Sequence, residues 1–164
     1  MIKYLTFGIA ISFISWIVGV ILNAVLMKTP YYHQKLSHLN FIRNENLNTY
    51  IGINLFKWII IHSIFKYFNP KLSLKKKIKI TALADLRNEM TIAEIGHLIG
   101  FCFVMVFVLI KLINGNYGFA LIILLVNIVM NLYPSLLQQQ NKRRIDQYHK
   151  IIAFRAGHRD LVNS

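Results

Sequence analysis

The chain has 164 residues, which is enough for one domain or one small helical membrane bundle. It is 55% apolar and only 15% charged, whereas soluble domains carry about a quarter charged residues. The net charge is +13, which indicates an acidic binding partner. Because the chain also has long uncharged runs, anionic lipid or an acidic substrate is a better candidate for that partner than nucleic acid. The single cysteine, Cys102, excludes an intrachain disulfide and a cysteine-based metal cluster.

The first predicted element is a membrane span over about residues 4–27. The run from Tyr4 to Met27 contains no charged residue, and a helix needs roughly 20 apolar residues to cross the hydrocarbon core. A signal peptide is the alternative, but its apolar region is usually about 7–15 residues long and precedes a small-residue cleavage site. The longer run, with no such site after it, favours an uncleaved anchor.

The middle of the chain is polar and basic. Residues 29–50 predict an irregular connector. Residues 51–68 are marginal in length for a span, and Asn54, His62 and Lys66 fall on one helical face, so we expect an interfacial amphipathic helix. The basic stretch 70–80 is either a solvated charge run or a contact with anionic head groups, worth about 1 kcal/mol per lysine.

Two further spans are predicted over about residues 93–113 and 117–137, joined by the turn signal Asn114-Gly115-Asn116. The basic tail, residues 138–164, is expected to be helical and cytoplasmic. Since strand-type alternation is absent, the predicted fold is an all-α integral membrane protein. It has about three transmembrane helices, an interfacial helix and a helical tail in a single membrane domain, residues 1–164.

The distribution of positive charge predicts the orientation. The N-terminal flank, the middle segment, the turn region including Lys111 at the end of the second span, and the tail carry 1, 11, 1 and 6 lysines and arginines. This alternation fits the positive-inside rule for a multi-pass protein of the cell membrane. It predicts an external N-terminus, with the middle segment and the C-terminus cytoplasmic. A fourth span at 51–68 would largely remove the bias.

Polar residues near the cytoplasmic end of the second and third spans form a candidate site. Glu94 and His97 are three apart and share a helical face. Equal distances from the turn place them level with a stripe on the third span, formed by Asn127, Asn131, Pro134 and Gln138. The stripe either fixes the bundle through interhelical hydrogen bonds or faces a cavity. In the catalytic interpretation Glu94 orients His97 toward a hydroxyl. Glu-x-x-His occurs once, so no metal site is predicted.

Basic and amide residues next to this cluster are candidates for substrate binding. Arg87 lies seven residues before Glu94, roughly on the same face, and Arg144 follows the third span with Asn141. In a purely structural role, the basic tail anchors the protein beside the membrane. In a functional role, it forms a phosphate site, because the guanidinium fork can bind two oxygens. The predicted substrate-binding set is Arg87, Asn131, Gln138, Asn141 and Arg144.

These residues resemble the glycosyl-4,4'-diaponeurosporenoate acyltransferase family over about residues 50–145. The likeness is carried by Glu94-x-x-His97 at the start of one span and by the residues closing the next, Asn131, Pro134, Gln138, Asn141, Lys142 and Arg144. The chain departs from the family pattern in three ways. No Trp follows His97, the proline is one residue later, and Gln139-Gln140 stands where Arg-Tyr is usual.

The resemblance implies transfer of a fatty acyl group to a hydroxyl of a glycosylated lipid or carotenoid. His97 would accept the proton, and the basic tail would hold acyl-CoA or an acyl carrier protein, with no tightly bound cofactor. Expected partners are membrane lipids with anionic head groups, a lipid-like acceptor and other membrane subunits. The alternative is a non-catalytic subunit or lipid-binding scaffold. A lateral groove beside Glu94, His97 and Arg144 would favour the enzyme, and a polar stripe filled by hydrogen bonds would favour the scaffold.

Overall fold

The computed structural model describes residues 1–42, 45–62 and 80–162. The helices are α1 (Ile2–Leu26), α2 (Pro30–Gln34), α3 (Glu45–Tyr50), α4 (Ile53–His62), α5 (Ile80–Ile113), α6 (Tyr117–Asn127) and α7 (Tyr133–Val162). A 3₁₀ turn covers Leu36–His38, and a π-helical turn, Ile128–Leu132, joins α6 to α7. The end of the predicted interfacial helix and nearly all of the basic stretch lie outside the described residues.

The predicted all-α membrane fold is confirmed. Three helical segments are long and apolar enough to cross a membrane, namely Ile2–Leu26, Leu83–Ile113 and Tyr117–Ile152. The described part of the chain contains no strand. α4 is apolar but too short to be such a segment.

Small residues let α1 pack closely against α5. Gly19 of α1 lies directly on the backbone carbonyl of Gly96, where an added Cβ would overlap the oxygen. One turn further along each helix, Gly100 lies against Ser15. In membranes, small side chains at helix crossings permit close van der Waals packing, which drives association where lipid and side chain are equally apolar. The close approach therefore depends on glycine in both helices.

The turn between α5 and α6 closes a tight antiparallel hairpin. The amide of Asn116 donates to the Lys111 carbonyl and that of Gly115 to the Leu112 carbonyl, while Gly115 has a positive φ of 71°. This is the glycine-terminated helix end of the Schellman type. Tyr4 of α1 stacks on Phe119 of α6 with ring centroids 4.2 Å apart. The N-terminus of α1 and this turn therefore lie at the same end of the bundle.

α5 and α7 continue together beyond the bundle at the opposite end. The 34 residues of α5 extend about 51 Å, whereas the hydrocarbon core is about 30 Å thick. The protruding parts pack through Leu83, Leu86, Met90 and Ile145. An ion pair from Arg87 Nε to Asp146 Oδ1, 2.6 Å long, links them. The result is a packed two-helix extension that begins where the candidate site ends.

Candidate functional site

The start of α7 is buried on all sides, although it is strongly polar. α4 covers one side, where Ile53 and Ile60 pack against Leu136 and Leu137. α5 and the connector cover the others. Consequently a run of five polar residues is at most 6% exposed, namely Gln138, Gln139, Gln140, Asn141 and Lys142. Buried polar groups are costly unless they are paired, so this run requires partners from the surrounding elements.

Glu94 is the acidic centre of this region. Its carboxylate is fully buried, with Oε2 lying 2.6 Å from Nζ of Lys142 and Oε1 accepting a 2.9 Å hydrogen bond from Nε2 of Gln139. Charged groups of opposite sign favour each other strongly where water is excluded. Glu94 and His97 share no hydrogen bond, although they lie one turn apart on α5. The carboxylate therefore bonds directly to α7 rather than to the imidazole.

The same α7 side chains hold the connector against the bundle. Lys142 Nζ also donates to the carbonyls of Ser37 and Leu39, both at 3.2 Å. Gln139 Oε1 accepts from the backbone amides of Phe41 and Ile42, at 2.9 and 3.3 Å. These bonds satisfy backbone groups of the 3₁₀ turn and of the irregular residues that follow it. Glu94, Gln139 and Lys142 together form one clamp that ties α5, α7 and residues 37–42.

His97 occupies a separate environment between α1 and the π-helical turn. The Trp16 indole lies edge-on to the ring, with centroids 6.1 Å apart and planes at 90°. Asn131 lies beside the imidazole, yet Nδ1 is buried without a hydrogen bond of ordinary geometry. The residue as a whole is half-buried. α1 packs along α5 and α6, and this packing places Trp16 of α1 beside His97 of α5.

Pro134 explains both the π-helical turn and the position of Trp16. Proline has no amide hydrogen, so it cannot donate to the Met130 carbonyl four residues earlier. Trp16 Nε1 donates to that carbonyl instead, at 3.3 Å. In membranes, a neighbouring helix commonly satisfies a backbone group that proline leaves open. The open carbonyl thereby holds the Trp16 indole next to the His97 ring, where it lies edge-on.

The predicted asparagine stripe bonds to two helices. Asn127 Nδ2 donates to the Phe101 carbonyl of α5 at 3.1 Å. Asn131 Nδ2 donates to Asn127 Oδ1 at 2.9 Å and to Ser15 Oγ of α1 at 3.0 Å. Much of this stripe is therefore filled by interhelical hydrogen bonds.

Tyr32 of α2 is buried near Asn23 of α1 and Glu94 of α5. Its ring is 1% exposed, and its hydroxyl has no hydrogen-bond partner of ordinary geometry among the described residues. Burial raises the pKa of the phenol, the neighbouring Asn23 side chain opposes that rise, and the Glu94 charge adds to it. The hydroxyl therefore stays protonated and able to donate.

The other predicted binding residues are dispersed. Arg87 pairs with Asp146 on the two-helix extension. Arg144 is exposed on α7 near Lys57 of α4, and burial together with the Arg144 charge lowers the Lys57 pKa. Gln138 and Asn141 are buried, and Nδ2 of Asn141 has no partner in the described part of the chain. Of the predicted site residues, Glu94, Asn131, Gln138 and Asn141 are thus buried around the start of α7, whereas Arg87 and Arg144 lie outside this buried region.

An apolar groove of about 450 Å³ lies on another side of α5. Its walls come from α1, from α5 and from the part of the connector around the 3₁₀ turn. They consist of Leu22, Leu26, Leu36, Leu39, Ile95, Leu98, Ile99, Cys102, Phe103 and Val106. Neither Glu94, His97 nor Arg144 lines it. The described residues also contain no group of three His, Cys, Asp or Glu side chains placed to hold a metal ion.

A family model described as glycosyl-4,4'-diaponeurosporenoate acyltransferase matches residues 28–150, which is most of the chain. The chain belongs to this acyltransferase family. Membership confirms the resemblance seen in the sequence and places the protein among acyltransferases of carotenoid biosynthesis. Comparisons with curated proteins and with solved structures gave no match. The matched region begins after α1 and contains the clamp, His97 and the connector.

Several site residues were missed by the sequence interpretation. Gln139 and Lys142 are the direct partners of Glu94, and Trp16 is the aromatic neighbour of His97. A signal existed for the first pair, because a carboxylate near lipid requires a cation and Lys142 stands closest to the third span. For α1, the small or polar residues Ser12, Ser15, Gly19 and Asn23 recur on one helical face. That stripe marks the packing face.

Proposed function

We propose that the protein transfers a fatty acyl group from a thioester donor to a hydroxyl of a glycosylated lipid or carotenoid at the membrane. The observation that carries this proposal is membership of the acyltransferase family across the region that contains His97. In that region His97 is a half-buried imidazole with a nitrogen that no described group occupies. Such a ring can accept a proton from an acceptor hydroxyl.

The proposed step balances through one proton and one leaving group. His97 takes the hydroxyl proton as the acceptor oxygen attacks the thioester carbonyl carbon. The new ester C–O bond forms, the C–S bond breaks, and the proton passes to the departing thiolate. Trp16 and Asn131 restrict the ring's orientation. Glu94 does not orient His97 directly in this scheme, because its carboxylate is paired with Lys142 and Gln139, and it holds α5 against α7 instead.

The donor would be acyl-CoA or an acyl carrier protein, both of which are acidic. Arg144 is exposed and lies near Lys57, so two cations from different helices are close together. Neither has an acidic partner within the described residues. Guanidinium groups bind phosphate oxygens in pairs, which suits Arg144 to the donor's phosphate.

A scaffold or small subunit of a larger membrane complex is the second candidate. It is favoured by the polar stripe, since Asn127, Asn131 and Glu94 are all occupied by hydrogen bonds within the bundle. The enzyme should turn over an acyl thioester and an acceptor, whereas the scaffold should not. Purified protein in nanodiscs would be mixed with a radiolabelled acyl thioester and a glycosylated carotenoid. A labelled ester and an equal amount of free thiol support the enzyme. No ester with either CoA or carrier-protein thioesters would favour the scaffold.

A further inference from the structure

The apolar groove beside α5 has the length of a single lipid chain. Along α5 its lining runs from Ile95 to Val106, a rise of about 16 Å at roughly 1.5 Å per residue. The hydrocarbon core is about 30 Å thick and is filled by two leaflets, so each leaflet's chains extend about half that distance. The length of the groove therefore matches the depth of one leaflet.

Two exposed lysines stand next to the connector end of the groove in the chain. Leu26, Leu36 and Leu39 form this end, and Lys28 and Lys35 lie within two residues of them in the chain. Both lysines are exposed and, among the described residues, neither pairs with a carboxylate. Lysines at a membrane surface attract anionic head groups. The groove is thus lined by apolar side chains, and Lys28 and Lys35 stand beside its connector end in the chain.

A substrate of the acyl transfer does not suit this groove. Residues 95, 99, 102 and 106 follow the spacing of one helical face, and His97 lies on α5 away from that face. Because α1 packs directly on α5 at Gly19 and Gly96, the helices leave no passage between groove and imidazole there. A chain in the groove would hold its polar end at the connector rather than at His97.

We propose that the groove is a binding site for one anionic phospholipid of the leaflet that adjoins the connector. One acyl chain lies along α5, and the phosphate lies between Lys28 and Lys35. The clamp made by Lys142 positions Leu36 and Leu39, because its ammonium binds the carbonyls of Ser37 and Leu39. The bound lipid therefore contacts the connector through Leu36 and Leu39. This proposal does not depend on acyl transfer.

Cys102 provides the first test, since it is the chain's only cysteine and lines the groove. The rate of its alkylation by N-ethylmaleimide would be measured in nanodiscs of phosphatidylglycerol or phosphatidylcholine with matched chains. We expect slower reaction in phosphatidylglycerol. The K28Q/K35Q double variant should reduce that preference by roughly tenfold or more. Equal rates in both lipids, or an unchanged preference in the variant, would overturn the proposal.

Retention of lipid after purification provides the second test. Native mass spectrometry of the detergent-solubilised chain should show one anionic phospholipid per wild-type protein. Cys102→Trp should lose it because the indole fills the slot, whereas Leu109→Trp, on the exposed surface of α5 outside the groove, should keep it. Retention by both variants contradicts the proposal. So does recovery of a zwitterionic phospholipid, an acyl thioester or a carotenoid in place of the anionic lipid.

Discussion

Nζ of Lys142 lies 2.6 Å from Oε2 of Glu94, and both side chains are almost completely withdrawn from solvent. The pair joins α5 to α7 through residues that are 48 positions apart in the chain, and through Lys142 it also reaches the connector. A buried ion pair of this kind is costly to break, because the remaining charge stays in a medium that solvates it poorly. Much of the behaviour expected of variants follows from this contact.

Glu94→Gln should destabilise the protein by about 3–5 kcal/mol, since it leaves the Lys142 ammonium buried without a counter-charge. The double variant Glu94→Gln/Lys142→Met should recover much of that loss, because it removes both charges. Thermal unfolding in nanodiscs measures the effect. Asp85→Asn, an exposed carboxylate on the same helix, is the control and should change little. Equal stability of Glu94→Gln and wild type would show that the pair is not formed.

Gln139→Leu should release the connector from α7. The substitution removes the acceptor for the amides of Phe41 and Ile42 and the donor to Glu94, and each unsatisfied buried group costs about 1–3 kcal/mol. Hydrogen exchange at residues 41 and 42 should become faster. Gln147→Leu, on the exposed face of α7, should leave these amides protected. Unchanged exchange in Gln139→Leu would mean that other contacts hold the connector.

Gly19→Ala should disrupt the packing of α1 on α5. The added methyl would overlap the Gly96 carbonyl oxygen, and overpacking of a tight contact costs about 1–3 kcal/mol or more. Gly118→Ala is the matched control, because nothing lies within 4 Å of its Cβ position. Size-exclusion profiles and thermal unfolding of the two variants should therefore differ. If both behave like the wild type, the helices do not cross at this glycine.

Burial is the larger cause that lowers the pKa of Lys57, and the positive charge of Arg144 is the second. Arg144→Gln removes that charge and should therefore raise the pKa of Lys57. In the window between this lowered pKa and the ordinary value of 10.5, the unfolded chain binds more protons than the folded one. Stability should accordingly rise with pH through that window, and Arg144→Gln should narrow it. The pH dependence of Lys57 acetylation, followed by peptide mass spectrometry, reports the shift. Lys150→Gln on the same helix should have no effect, and an equal shift in both variants would contradict the assignment.

The architecture was predictable because its signals are local. The uncharged run from Tyr4 to Met27 and the Asn114–Asn116 turn each identify an element without reference to the rest of the chain. Glu94 and His97 were recognised from their spacing, and the family from the same residues.

The partners of these residues depend on tertiary packing and could not be read from spacing alone. Glu94 pairs with Lys142, a residue that the sequence placed only among those that carry the family resemblance. The π-helical turn and the Trp16 bond to Met130 follow from Pro134, but a proline does not indicate which neighbouring side chain will satisfy the open carbonyl. The tail, residues 138–164, was expected to be helical, and in the structure one helix, α7, runs from Tyr133 to Val162 and so joins the end of the third span to the tail.

Comparative lipid and carotenoid mass spectrometry of cells with and without the gene tests the central claim most directly. The deletion strain would be complemented with the wild type or with His97→Ala, with membrane insertion of each checked by immunoblotting. We predict that an acylated glycosyl lipid or carotenoid disappears on deletion, returns with the wild type and does not return with His97→Ala. An unchanged lipid and carotenoid profile on deletion, or full rescue by His97→Ala, would contradict acyl transfer centred on this histidine.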